Sequence, residues 1–187
     1  MIRKAIILIL FIFSFSVVHA QDSYIKNRWN IKAGYARYPG IYVSKSGMKV
    51  TYGNYRVEAN YGILNFLEIG GYLGYSRLAS YLPVVGKFIW ENQNTPFAGI
   101  NINLQLLPFI VKSPDFRFDL YLLGRYGGAY YSSPENYYPY KGLQFQYEHG
   151  LGVAFYLWKH VGIFGEYSFG LLAKPSGNFR GGLTVKW

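Results

Sequence analysis

The 187-residue chain has no cysteine, two methionines, three histidines and only nine acidic side chains. The missing cysteine excludes a disulfide scaffold, a cysteine-based zinc module, a c-type haem attachment and a lipid-modified cysteine. Beyond residue 20 only His149 and His160 remain as imidazoles, and their separation gives no metal-ligand spacing, so no metal is expected. None of the glycines opens a helix in a phosphate-binding pattern, so no cofactor is expected. Long apolar runs are also missing after residue 20: the windows Gly62 to Tyr75 and Ala98 to Val111 are broken by Glu68 or by Asn, Gln and Pro, too early for a spanning helix. What is abundant is aromatic: 20 Tyr and 14 Phe in a chain that is 51% hydrophobic, with 22 Gly, which excludes a disordered chain.

Residues 1–20 have a separate character. Arg3 and Lys4 precede the apolar and hydroxyl run Ala5 to Val18, and Val18-His19-Ala20 ends on a small residue, the layout of a cleaved secretory signal. The expectation is therefore a signal peptide at 1–20 and one domain at 21–187. Export makes nucleic acid an improbable partner, despite 19 basic residues against nine acidic ones.

From Trp29 onward the pattern has period two. Trp29, Ile31, Ala33 and Tyr35 alternate with Asn30, Lys32, Gly34 and Ala36. Seven further segments repeat the alternation, centred on Tyr55–Tyr61, Leu67–Tyr75, Ala98–Leu104, Phe118–Leu122, Phe145–Leu157, Val161–Phe169 and Phe179–Trp187. Eight strands follow. The links at Pro39–Gly47, Leu78–Asn94, Ser132–Lys141 and Leu172–Gly177 tend to be longer than those at Gly62–Phe66, Pro108–Pro114 and Lys159–His160. A closed up-and-down barrel with long loops on one side and short turns on the other has this rhythm, and its two ends lie on the short-turn side.

Charge separates the faces. The polar phase carries Lys32, Arg56, Arg117, Arg125, Arg180 and Lys186 against Glu58, Glu68, Asp119, Glu148 and Glu166. These eleven are expected to form an interior network, because an eight-stranded barrel is only wide enough to be filled by side chains. A soluble lipocalin-like ligand binder would turn the apolar phase inward; a transmembrane barrel turns it outward. Aromatics near strand ends, including Trp29, Tyr61, Phe66, Tyr75, Phe97, Trp158 and Trp187, favour the membrane version, since such side chains form interfacial girdles.

The last nine residues, Phe179 to Trp187, resemble the C-terminal signal of outer-membrane β-barrel proteins, with Phe179, Leu183 and Val185 at alternate positions before the final aromatic Trp187. Together with the leader and eight strands, they make the chain similar to the small eight-stranded barrels of the OmpA and OmpX kind. That resemblance implies a Gram-negative outer membrane, both termini in the periplasm, insertion by the barrel-assembly machinery, and contact with outer-membrane lipid and lipopolysaccharide.

The expected role is structural or surface-interacting and non-enzymatic, with an extracellular partner the residues do not identify. The working surface is expected at the external links, where Arg37, Lys45, Lys49, Arg77, Lys87, Lys141 and Lys174 outnumber Glu91 and Glu135. Two other roles stay open. A narrow conduit could run past the interior ions. A lipid-modifying enzyme could use His149, which shares the outward phase with Tyr147 and Leu151 but is followed by Gly150 and Leu151 rather than by a serine two residues on.

Overall fold

The computed structural model describes residues 25–37, 42–44, 47–84, 87–111, 117–132, 142–158, 160–170 and 173–187. The expected signal segment 1–20 lies outside them. The strands are β1 (Trp29–Arg37), β2 (Tyr42–Ser44), β3 (Gly47–Leu64), β4 (Leu67–Val84), β5 (Lys87–Gln105), β6 (Phe118–Tyr131), β7 (Gly142–Tyr156), β8 (Val161–Gly170) and β9 (Ala173–Lys186). Each of β3 to β9 pairs antiparallel with its neighbour in sequence, and β1 pairs with both β3 and β9, so eight strands close an up-and-down barrel. The short β2 pairs only with the start of β3, above the point where β1 stops.

Closure removes the edges that an open sheet would leave unpaired. It is sealed at the chain ends, where the Trp29 and Trp187 main chains exchange N–H···O bonds of 2.9 and 3.0 Å. The same rim holds the turn at Asn65–Phe66, the residues 157–158 that follow β7, and a 3₁₀ turn, Leu107–Phe109. We call it the terminal rim.

Alternation then decides what faces where. Ile31, Val57, Ile69, Leu73, Ile100, Leu122, Leu151, Val153, Ile163 and Leu183 are exposed on the outer wall, while the side chains that alternate with them are buried and several of the alternating glycines half-buried. The lipocalin-like arrangement, with the apolar phase inside, does not describe this barrel. Two outward aromatic bands flank the apolar one. At the terminal rim the Trp29 and Tyr61 rings meet at a tilt, 5.1 Å apart, and Phe66 meets Phe109 at 5.3 Å, with Trp158 and Trp187 exposed nearby. Toward the opposite rim lie Tyr35 and Tyr55, 5.1 Å apart, then Tyr75, Tyr147 and Tyr167. Phe97, grouped by sequence with the girdles, is instead buried and contacts Tyr72 inside. It has the same parity as the interior residues Asn101 and Asn103.

The strands toward the opposite rim are longer than the alternation indicates. Leu78–Asn94, expected as a loop, is a hairpin: β4 and β5 stay paired up to Val84 and Lys87, with only 85–86 between them. The β3–β4 ladder reaches Met48 and Tyr81, whereas the β5–β6 ladder stops at Phe97 and Ala129, with one further bridge between Asn94 and Ser132. A sheet of β2, β3, β4 and β5 thus rises on one side. Alternation marks only the stretch where one face meets an apolar solvent; main-chain pairing continues beyond it without needing that pattern.

Glycine is required where strands crowd the interior. Gly99 and Gly127 are paired, and a Cβ on either would lie 2.6–2.7 Å from the opposite Cα and from the Tyr72 hydroxyl. Their absent side chains let the Tyr72 ring lie across the lumen.

Ile102 faces outward between Ile69 and Gly124. Ile102→Arg should cost about 2–4 kcal/mol of stability in lipid vesicles if that position meets hydrocarbon, read from denaturant unfolding; near-wild-type stability would contradict the assigned face.

Candidate functional site

The lumen is filled by charge. Among the described residues, Lys32, Arg56, Arg125, Arg180 and Lys186 point inward against Glu58, Glu68, Asp119, Glu148 and Glu166, five of each sign and all nearly inaccessible. Arg117 is the exception to the expected eleven. It lies before β6 at the terminal rim with its side chain exposed, and its carbonyl accepts from Tyr156 N–H at 2.8 Å. The inward phase of this strand begins with Asp119, so Arg117 keeps the parity but falls below the lumen.

Seven of the ten meet in one network. Arg125, on β6, reaches three carboxylates from other strands: Glu58 on β3 at 2.8 Å, Glu166 on β8 at 2.7 Å and Glu148 on β7 at 3.6 Å. Arg180, on β9, bridges Glu58 at 2.6 Å and Glu166 at 2.7 Å. Arg56 donates to Glu148 across the lumen at 2.7 Å and lies 3.7 Å from Glu58. Lys32 completes the set, 3.6 Å from Glu166. Four cations thus hold three carboxylates, and the planar guanidinium forks make several of these contacts at once.

Aromatic side chains line the network. Lys32 Nζ sits 3.6 Å from the Tyr121 ring centre, and the Tyr121 hydroxyl donates to Glu166 at 2.8 Å. Arg56 lies 5.3 Å from both the Tyr72 and Phe97 rings, and Arg180 lies 5.0 Å from Phe164. The Ser168 hydroxyl donates to Glu148. The ring faces take part of the positive charge in a space that admits little water. These partners carry a signal in the sequence as well: Tyr72, Tyr121 and Phe164 stand in the polar phase, where a large aromatic signals inward packing.

The remaining three charges lie nearer the terminal rim. Lys186 pairs with Asp119 at 3.2 Å, and the Tyr156 hydroxyl donates to Asp119 at 2.8 Å. Glu68 accepts from the amides of Asn30 at 3.3 Å and Asn103 at 3.2 Å. Below the barrel, Ile25 is fully buried, and its carbonyl packs where a Cβ of Gly62 would lie.

Of the C-terminal signal residues, Phe179, Leu183 and Trp187 are exposed on the outer wall and Val185 is half-buried, all on or just after β9, the strand that closes against β1. Of the external basic set, Arg77 is exposed on β4. Arg37, Lys49, Lys87 and Lys174 lie in β1, β3, β5 and β9 rather than in loops, and their side chains are outside the described residues, as are Lys45 and Lys141 entirely. The described residues contain no cluster of His, Asp and Glu able to hold a metal.

His149 is half-buried on the outer wall. Its ring lies 5.4 Å from Tyr126, 5.7 Å from Tyr147 and 6.5 Å from Phe169, with Nε2 3.5 Å from the Tyr126 hydroxyl. Among the described residues no serine joins it: Ser168, on the adjoining strand, is buried on the opposite face.

No protein-family model matches the chain, and no curated protein matches it in sequence. Solved structures do share its shape. OprG from Pseudomonas aeruginosa, an outer membrane protein, matches with a TM-score of 0.56 at 7% identity over 89% of this chain and 99% of its own. The N-terminal β-barrel domain of P. aeruginosa OprF (TM-score 0.51, 14% identity, 87% of this chain and 97% of that domain) and the Yersinia pestis outer membrane protein Ail in a phospholipid nanodisc (TM-score 0.51, 14% identity, 87% and 100%) match likewise. At these identities the likeness is one of fold: the small, closed, eight-stranded antiparallel barrel.

Arg125→Met would strip one cation contact from each of three buried carboxylates, leaving Glu148 with Arg56 alone, and should lower stability by about 3–5 kcal/mol in vesicle-based unfolding. Glu68→Gln should cost no more than about 1 kcal/mol, because Asn103 Oδ1 is buried without a partner and an amide flip would let it accept from the new side chain. Equal losses in the two variants would contradict the division between network and amide cluster.

Proposed function

We propose that the chain is an integral protein of the Gram-negative outer membrane that acts without catalysis, as a structural element and as a platform for surface contacts. The observation that carries this reading is the inverted wall: ten charged side chains inside and large apolar side chains outside, bounded by two aromatic bands. A wall of that kind needs an apolar solvent about 25 Å deep. None of the described helices is long and apolar enough to cross a membrane, so strands carry the crossing in this reading.

The start of β1 and the C-terminal Trp187 share one rim, while the strands extend furthest toward the other, which supports a periplasmic placement for the first. The raised sheet of β2, β3, β4 and β5 would then project outward, together with the basic positions Arg37, Lys45, Lys49, Arg77, Lys87, Lys141 and Lys174. Their charge suits the phosphates of lipopolysaccharide, and the sheet offers a rigid surface to an extracellular partner. The outward series Phe179, Leu183 and Trp187 suits recognition by the barrel-assembly machinery. Residues 1–20 would be removed on export.

Fractionation with gel migration before and after heating tests the reading. The protein should appear in the outer membrane as a compact band that shifts when boiled, and recovery as a soluble protein with no shift would contradict it. The polar column inside favours a second reading, a narrow conduit, but the network crosses the lumen from several strands. We therefore expect no discrete openings in planar bilayers; openings that increase in Glu58→Gln or Glu166→Gln would establish the conduit instead.

A further inference from the structure

The outer wall carries one feature that neither lipid packing nor the interior network uses. His149 interrupts the outward apolar series of β7, which runs Leu143, Phe145, Tyr147, His149, Leu151, Val153 and Phe155. An imidazole facing hydrocarbon is costly unless its nitrogens are satisfied. Nε2 approaches the Tyr126 hydroxyl only at 3.5 Å, the outer limit of a hydrogen bond, and among the described residues Nδ1 has no hydrogen-bond partner.

The height of His149 decides what could satisfy it. Trp158 marks the terminal rim, in the turn that its N–H closes onto Val161. β7 ends two residues earlier, at Tyr156, and His149 lies seven residues above that end. A strand rises about 3.3 Å per residue, or about 2.5 Å along the barrel axis at a tilt near 40°, so His149 stands about 18 Å above the end of β7. In an apolar band about 25 Å tall that is the upper third. The residue therefore lies nearer the far interface than mid-membrane, within side-chain reach of lipid headgroups.

The surroundings form a niche at that level. Gly124 is paired directly with His149, and a Cβ there would lie 3.7 Å from Nδ1, so the missing side chain leaves the ring edge uncovered. Tyr126 and Tyr147 stand on one side and Phe169 on the other, all in ring contact with the imidazole. The result is a shallow site with an apolar rim and two convergent polar groups, the imidazole and the Tyr126 hydroxyl.

We propose that His149 and Tyr126 form a lipid site, which binds the headgroup phosphate of a lipid in the leaflet at the rim opposite the chain ends. The lipid's acyl chains would lie down the wall over Gly124, Leu122 and Leu151. An imidazole N–H and a tyrosyl O–H are both donors to phosphate oxygen, and a phosphate acceptor gives them partners that the protein does not supply. The site rests on the membrane placement proposed above.

The test uses the full protein purified into phosphate-free dodecyl maltoside micelles, with the side-chain ¹⁵N resonances of His149 as the readout. Titration with dioleoyl phosphatidic acid should shift those resonances saturably. Dioleoylglycerol, with the same chains and no phosphate, and inorganic phosphate, with no chains, should leave them in place. His149→Phe keeps the wall apolar and should fold as the parent does, yet bind phosphatidic acid about tenfold more weakly, read in parent and variants alike from the backbone amide resonances of Gly124 and Tyr126, as expected for losing a hydrogen bond to a charged group. Tyr126→Phe should weaken it severalfold and reduce the shift. Equal response to dioleoylglycerol, response to inorganic phosphate alone, or unchanged affinity in both variants would overturn the site. Recovery of the protein from the aqueous fraction would overturn the membrane placement and the site with it, whereas a membrane-embedded protein indifferent to phosphatidic acid would overturn the site alone.

Discussion

An eight-stranded barrel leaves room inside for side chains and little else, so a charge pointing inward must find its counter-charge on the facing strands. Arg125 meets that constraint by joining Glu58, Glu148 and Glu166, which come from three other strands. Arg180 repeats two of those contacts from β9, the strand that completes the circle with β1. The network therefore ties early strands to late ones across the lumen, where the main-chain ladder links only neighbours. The rest of the design follows from it: with polar groups committed to the inside, the outer wall is left to apolar and aromatic side chains.

That division was legible in the sequence because period two is rigid. Once Glu58 and Arg56 fix the phase of one strand and Glu148 that of another, the outward set Tyr55, Val57, Leu151 and Val153 follows without reference to tertiary contacts. Arg117 shows where the rule stops: parity assigns a face but cannot say whether a residue lies within the lumen or below it. Phe97 shows a second limit, since an aromatic near a strand end reads as a girdle member until its parity is given more weight than its type. The upper strands were hidden for another reason. Past the apolar band no face is forced to be hydrophobic, and segments such as Leu78–Val84 pair through their main chains with no periodic mark.

The ion pairs themselves could be counted from sequence but not matched. Which carboxylate Arg56 meets depends on register and on side-chain length across the lumen, and it donates to Glu148, 92 positions away. The aromatic partners were still less visible, because Tyr121 and Tyr156 contribute both a ring face to a lysine and a hydroxyl to a carboxylate. His149 reads as an anomaly in sequence; its meaning depends on height above the terminal rim, which follows from the strand's length and tilt.

The central claim is that lipid and not water lies against the outer wall. The absence of cysteine makes a direct measurement simple: single cysteines placed in turn along β7 from Gln144 to Tyr156, each carrying a nitroxide, with the protein reconstituted in lipid. Oxygen accessibility should rise at Leu151, Val153 and Phe155 and fall at Gly152 and Ala154, with a period of two, while a water-soluble nickel chelate reaches none of them. Nickel accessibility peaking at Leu151, Val153 and Phe155 would mean that this wall faces water, and would contradict the account.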